Sequence, residues 1–330
     1  MIIILTQPQD VHAVGVHERL TQRGLEHLQF DFADFPSRST VSFKSSVDGR
    51  PTFGLRTQAR DIALDRVSAV WFRRPSPPVP HAQTTDPDCR AYAEEESANL
   101  FDSLWEELSC RWIPATYSVI RRASRQPLQL KLASALGLEL PPTLITNDPE
   151  EFLEFYARHE GNIVSKLPSP AMTRTLKHLQ LARYTQQVTR RDLVHADSIR
   201  YAPVTFQAYV PKRVELRITV VGEQVFAAEI HSQKANRTRI DWRRYDLGHT
   251  PHYPHTLPGE VRRSCVELVR QLGLSYGAID MVLTPDGRYV FLEINPNGQF
   301  LWIEQLTGMP ISDAICDLLA SGRAPEPTPA

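Results

Sequence analysis

The stretch "YGAIDMVLTPDGRYVFLEINPNG", residues 276–298, constrains this chain more than any other. Apolar residues on either side of a Thr-Pro-Asp-Gly turn predict an antiparallel hairpin. Each strand is interrupted by an acid, Asp280 in the first and Glu293 in the second, and Asn295 follows two residues later. Strand side chains alternate, so Glu293 and Asn295 share a face. Counted back from the turn, Asp280 and Glu293 can lie opposite each other on adjacent antiparallel strands, within reach of one ion. Three oxygen-bearing side chains buried without partners would be costly. Backbone bonds local to the hairpin could satisfy them. A hard cation could too, and Mg²⁺ held by a few carboxylates plus phosphates suits such a set.

At 330 residues the chain is too long for one small core and should form two or three subdomains. Its 42% hydrophobic and 23% charged content fits a globular protein, and a net charge of -1 argues against a general nucleic-acid binder. Cys89, Cys110, Cys265 and Cys316 are widely spaced, as expected of reduced packing thiols in a cytoplasmic protein. "MIIILTQPQD" reads as a first strand, too short for a signal peptide or membrane span, and no later apolar run is long enough to span.

Three regions follow. Residues 1–115 read as a small α/β unit with strands "IIIL", "HLQFDFADF" and "SAVWFRRP", a Pro-rich loop, and an amphipathic acidic helix "CRAYAEEESANLFDSLWEELS". Residues 116–200 hold helix "QPLQLKLASALG", ending at Gly137, a helix capped by Asn147-Asp148, and strand "NIVSKL". "PSPAMTRTLKH" reads as mobile. Residues 201–322 look like a strand-rich platform in which "VTFQAYV", "VELRITVVG" and "QVFAAEIHSQ" run together, followed by a helix, the acid-bearing hairpin and a closing helix. Residues 323–330 read as a disordered tail.

Several residues admit two readings. Lys166, ending a buried strand, is either a snorkelling edge lysine or a point charge for phosphate. The basic stretch 231–244, with Lys234, Arg237, Arg239, Arg243 and Arg244 against Asp241, is a solvated hairpin face or a dock for an acidic peptide. Arg73 and Arg74 end a strand and are expected to pair with the acidic helix 94–107, or else to hold such a peptide. His249, His252 and His255 suggest zinc by spacing, but intervening prolines and the lack of a cysteine partner favour neutral loop histidines. There is no Walker loop, GxGxxG or Ser-His-Asp signature.

The order of Lys166 on a strand, "FQAYV", "VELR", Asp280 and "FLEINPNG" resembles the ATP-grasp ligases over residues ~116–320. With "VWFRRP", "LQLKLASALGLELPPTLITNDP", "IHSQ" and "DWRRYD", the chain is most similar to the graspetide (microviridin-type) peptide maturases. The resemblance implies an α/β ATP-grasp fold behind an N-terminal pre-ATP-grasp domain. It implies ATP and Mg²⁺ as cofactors, a ribosomally made precursor peptide as partner, and a homodimer. Such enzymes phosphorylate Asp or Glu side chains and join them to Ser, Thr or Lys as macrolactones or macrolactams. By resemblance, Lys166 contacts ATP phosphates, Gln207 with the backbone of Tyr209 and Val210 meets adenine, and Glu215 meets the ribose. Arg217 and Arg243 stabilise the transferring phosphoryl and the tetrahedral intermediate, and Asp280, Glu293 and Asn295 hold Mg²⁺. Lys234, Arg237, Arg239 and Arg74 are the expected peptide contacts. Gln126 stands where the family places a phosphate lysine, with Arg125 beside it as the candidate substitute. A ligase that adds an amino acid to another carboxylate, and a non-catalytic nucleotide-dependent peptide binder, are the alternatives.

Overall fold

A computed structural model describes residues 1–46, 49–166, 174–176, 179–181, 185–234 and 250–322. Residues 168–173 and 177–178 of the segment read as mobile, residues 235–244 of the basic stretch, His249, and the tail 323–330 lie outside the described residues.

Ile2 to Leu5 are all buried in β1 (Ile2–Thr6), and a strand apolar on both faces belongs inside a sheet. Asp10 then starts α1 (Val11–Gln22), its carboxylate accepting the His12 backbone N–H at 2.9 Å. β2 (His27–Phe30) is shorter than the sequence suggests, because the chain turns into a 3₁₀ turn at Phe32. β3 (Thr40–Ser46), β4 (Gly49–Arg56) and β5 (Asp61–Ala63) form a separate antiparallel sheet that the sequence reading missed. Then come β6 (Ala69–Arg74), α2 (Pro87–Glu106) and β7 (Arg111–Ile113). The order β2-β1-β6-β7, all parallel, makes this an α/β unit.

α3 (Tyr117–Ala123) and α4 (Gln126–Ala135) follow, and Gly137 takes φ 75° just past α4, as a helix stop requires. Next is a small layer: β8 (Thr143–Thr146), α5 (Pro149–Arg158), β9 (Ile163–Lys166), β10 (Arg174–Leu176) paired with β11 (Leu179–Leu181), β12 (Gln186–Gln187) and β13 (Val204–Ala208). Asp148 caps α5 as expected, accepting from the Glu150 N–H at 2.8 Å. The expected continuous platform is corrected here. β13, holding "VTFQA", lies between β8 and β9 in the order β12-β9-β13-β8, not beside "VELR". Phe206 anchors it, stacking on Phe152 of α5 at 4.4 Å, and the run through Pro211 ends the strand before the next sheet begins.

That second sheet runs β14 (Val214–Val221), β15 (Gln224–Ile230), β16 (His252–His255), then, after α6 (Gly259–Gln271), β17 (Tyr276–Leu283) and β18 (Tyr289–Asn295). Its order is β16-β15-β14-β17-β18, antiparallel throughout. His252 and His255 therefore sit in an edge strand rather than a loop, and His255 bridges Glu229 and the Tyr289 hydroxyl. One face packs Leu216, Ile218, Met281 and Phe291 against residues of α4 and α6. The other face is divided. Val221 and Tyr276 join a core with Ile2, Ile4 and Trp71 of the N-terminal unit, with Ile303 of α7 (Leu301–Thr307) and with Ile315 of α8 (Ile311–Ala320), while the opposite end opens into a cleft.

Candidate active site

A regular hairpin cannot place Asp280 opposite Glu293. Leu283 pairs with Tyr289, Val282 with Val290 and Met281 with Phe291, so the next pair should be Asp280 with Leu292. The register instead slips by one, and Asp280 faces Glu293. Leu292 is the extra residue of a β-bulge. The physical cause is on both faces: Phe291 and Ile294 are each buried in the helix-side core, an odd spacing that strict alternation forbids. The bulge lets both point inward and turns Glu293 to the cleft beside Asp280. The sequence count reached the right pair without the bulge that makes it possible.

The neighbouring strand adds charge to the same face. Arg217 is directly opposite Asp280 on β14, and its Nη1 donates to Asp280 Oδ1 at 2.9 Å. Burial alone would lower the Arg217 pKa, but Asp280 and Glu293 outweigh it and raise it, so the guanidinium stays charged inside. Arg217 Nη2 donates to the Gln299 carbonyl at 3.1 Å. Gly298 must be glycine here: a Cβ would lie 2.2 Å from Ala278 Cβ and 2.6 Å from Arg217 Nη2. Asn295 shares the face but is exposed, and its Oδ1 accepts the Asn297 N–H at 2.9 Å, the local hairpin bond that the sequence left open.

Across the cleft stands the small sheet. Lys166 Nζ donates to Gln207 Oε1 at 2.8 Å, and Gln207 Nε2 donates to Thr143 Oγ1 at 3.0 Å. Tyr209 and Val210 line the connection between the sheets. Glu215 accepts from Lys212 (3.1 Å) and Ser232 (2.6 Å). Apolar Val164, Val282 and Leu292 complete walls suited to a flat ring. The structure thus brings Lys166, Gln207, Tyr209, Val210, Glu215, Asp280 and Glu293 to one cavity. Arg125 is exposed at the start of α4, outside that lining, and Gln126 is buried, accepting from Thr205 Oγ1 at 3.3 Å. Arg74 is exposed at the end of β6. Arg73 does not pair with the acidic helix: it is buried against Asp10 at 3.3 Å, because β6 delivers it inside the unit rather than to its surface. Arg237, Arg239 and Arg243, and the Lys234 side chain, lie outside the described residues.

Among the described residues no three His, Cys, Asp or Glu side chains converge on a metal-sized site. Two carboxylates and an amide suit Mg²⁺, which keeps phosphate and water ligands, better than a cation needing an all-protein cage. Sequence reasoning missed two contributors. Lys212 is nearly buried three residues before Glu215, and Gln129 of α4 is a buried amide amid apolar positions. Gln129 Nε2 donates to the Ile294 carbonyl (2.8 Å) and its Oε1 accepts the Ile294 N–H (3.2 Å), doing for edge strand β18 what a further strand would do. A polar residue inside the apolar helix "PLQLKLA" was the available signal.

Residues 1–119 match the family described as "MvdD pre-ATP grasp domain". A Chryseobacterium gregarium RiPP-associated ATP-grasp ligase, solved with ADP and a leader and core peptide, is 31% identical, with 97% of this chain and 96% of that chain covered and a TM-score of 0.89. The macrocyclase MdnC of Microcystis aeruginosa MRC, solved with precursor peptide MdnA, is 32% identical, covering 97% and 99% of the two chains, with a TM-score of 0.84. This chain belongs to the RiPP-associated ATP-grasp ligases. In this ATP-grasp ligase the cleft between the two sheets is the candidate active site. The ligase PsnB, solved with a minimal precursor, is 25% identical with a TM-score of 0.79, covering 97% and 98% of the two chains. Human N-acetylaspartylglutamate synthase A is 25% identical over 219 residues, 66% of this chain and 54% of that protein; the chain spans about half the length of the curated relatives it matches.

Proposed function

We propose that this ligase uses Mg·ATP to activate Asp or Glu side-chain carboxylates of a ribosomal precursor peptide, and closes them onto Ser, Thr or Lys side chains of the same peptide as macrolactones or macrolactams. The observation that carries the reading is the bulged register that sets Asp280 against Glu293 on the cleft face, opposite Lys166. The Chryseobacterium gregarium ligase is solved with ADP and a leader and core peptide, and PsnB with Mg, ADP and a minimal precursor, which supports the same assignment.

Each residue then has a defined role. Gln207 and the backbone at Tyr209 and Val210 orient the adenine, Glu215 the ribose, and Lys166 a phosphate. Asp280, Glu293 and Asn295 would hold Mg²⁺, which neutralises phosphate charge as the transfer proceeds. The substrate carboxylate attacks the γ-phosphate, breaking its bond to ADP and forming an acyl phosphate. The peptide's hydroxyl or amine then displaces phosphate, losing its proton. Arg217, fixed by Asp280, is placed to offset the charge that develops, and Arg243 is assigned the same part. Arg125 is the candidate to supply the positive charge that Gln126 lacks. Arg74, Lys234, Arg237 and Arg239 are assigned to an acidic peptide. The reading includes a homodimer in the cytoplasm, carried over from the family resemblance and the free thiols.

The test is mass spectrometry of the peptide encoded beside this protein's reading frame, incubated with protein and Mg·ATP. Loss of one water per bond, with ADP formed, is expected; an unchanged mass overturns the reading. The match to N-acetylaspartylglutamate synthase A favours a second reading, ligation of a free amino acid, which predicts a mass gain instead.

A further inference from the structure

Three successive backbone carbonyls after the Asn295 turn each accept a hydrogen bond from a different buried side chain. Arg73 Nη1 donates to the Asn297 carbonyl at 2.8 Å, Tyr276 Oη to that of Gly298 at 2.7 Å, and Arg217 Nη2 to that of Gln299 at 3.1 Å. Tyr276 and Arg217 belong to the sheet that carries Asp280. Arg73 comes from β6 of the N-terminal unit, 224 residues away in sequence. The same unit takes hold two residues later: His12 Nδ1 accepts the Leu301 N–H at 3.3 Å, and Phe300 packs edge-on against the His12 ring. Burial, then the charge of Arg73, pushes the His12 pKa down to about 3, so its ring is neutral and free to accept.

Arg73 is an expensive way to fill this space. Its side chain is 2% exposed, and its Nη2 has no hydrogen-bond partner among the described residues. Its carboxylate neighbour Asp10 is shared with the Thr6 hydroxyl and the His12 N–H. Buried ion pairs replaced by well-packed apolar groups often leave a fold no less stable. Stability therefore does not explain an arginine at this position; the one backbone group it grips does.

We infer that Arg73 is a positioning residue for the ligase reaction, reaching out of the N-terminal unit to fix the Asn297 carbonyl and, through the turn, the Gln299 carbonyl that orients Arg217 on Asp280. The inference rests on the reading of the cleft as the Mg·ATP site. Without the Arg73 bond only two of these three carbonyls, those of Gly298 and Gln299, keep a side-chain donor. Any shift of Gln299 then loosens Arg217 beside Asp280. The N-terminal unit, which contributes nothing to the cleft lining, would thereby set the geometry of the chemistry.

The test compares Arg73→Met, which keeps length without charge, with Arg73→Lys. Three readouts are taken on the full chain: the melting temperature, hydrogen–deuterium exchange of peptides covering residues 295–304, and kcat and KM for peptide crosslinking. In Arg73→Met the melting temperature should fall, because Asp10 stays buried without its cation, so the location of the exchange change is what decides. Exchange in 295–304 should speed up by about tenfold or more while the rest of β14 and β17 is unchanged. The kcat should fall by about 10- to 100-fold with the peptide KM unchanged. Arg73→Lys, retaining a donor, should recover part of both. Unchanged exchange and kcat in Arg73→Met would overturn the inference, and so would a uniform rise in exchange with a matching drop in melting temperature. If Arg73→Met does not fold, the same readouts on Arg73→Lys decide. Absence of turnover in the unsubstituted protein defeats the reading of the cleft, whereas the exchange result judges Arg73 independently of it.

Discussion

The two walls of the cleft are built on different terms. The wall that carries Asp280, Glu293 and Arg217 belongs to a five-stranded sheet with cores on both sides, both continuous with the N-terminal unit. The wall that carries Lys166 and Gln207 is a four-stranded sheet over a separate, smaller cluster of Phe152, Phe155, Ile163, Val188, Ala196, Ile199 and Phe206. On the proposed reading, the groups assigned to metal, phosphoryl transfer and ribose sit on the heavily braced wall. Lys166 and Gln207, assigned to phosphate and adenine, sit on the wall with a core of its own, and such a unit can move without disturbing the first.

The largest expected effect breaks the braced wall at its chemistry. Asp280→Asn should keep the shape and an acceptor for Arg217 but remove the metal charge, lowering kcat by about 10³-fold or more. Peptide binding, measured by fluorescence anisotropy, should survive. Next comes the lighter wall. Phe206→Ala removes the ring stacked on Phe152 and should cost about 3–4 kcal/mol. If the walls are independent, exchange should rise in β8, β9 and β13 while β14 and β17 stay protected; a global rise would deny the distinction. Gly298→Ala forces a methyl onto Ala278 and Arg217, and should cost about 1–3 kcal/mol by thermal melting. The loss of kcat should exceed that of Asn147→Ala on the outer surface.

The smallest effect concerns the brace from the N-terminal unit. The unfolded chain binds a proton at His12 near pH 6.5, whereas the folded chain resists until about pH 3. Between those values the unfolded state holds more protons, so stability rises with pH and is lost as pH falls below about 6.5. By pH 5 this group should account for about 1–2 kcal/mol. His12→Gln should flatten the fall in melting temperature between pH 7 and pH 5; an unchanged slope would remove His12 from the brace.

What could be read from the amino-acid order follows the same division. The Asp280–Glu293 pair was legible because a tight turn brings the two acids within one residue of register, and the Gly137 and Asp148 helix boundaries because caps are local. The assignment of "FQAYV" to the wrong sheet failed because nothing local says which edge a strand will choose. The β3–β5 sheet was missed because the alternation of Thr, Val, Ser and Phe in β3 is polar and short. The bulge at Leu292 was invisible because only the packing of Phe291 and Ile294 on one face demands it. Arg73 looked like a surface cation because its true partners, Asp10 and the Asn297 carbonyl, are distant in sequence.

The central claim is that this bulged hairpin makes a metal site shared with nucleotide. Crystals grown with ADP and Mn²⁺ in place of Mg²⁺ test it through anomalous diffraction. The account predicts a Mn²⁺ peak in contact with the carboxylates of both Asp280 and Glu293, with the adenine beside Gln207 and Val210. A peak that touches neither carboxylate, with ADP bound in the cleft, would contradict it.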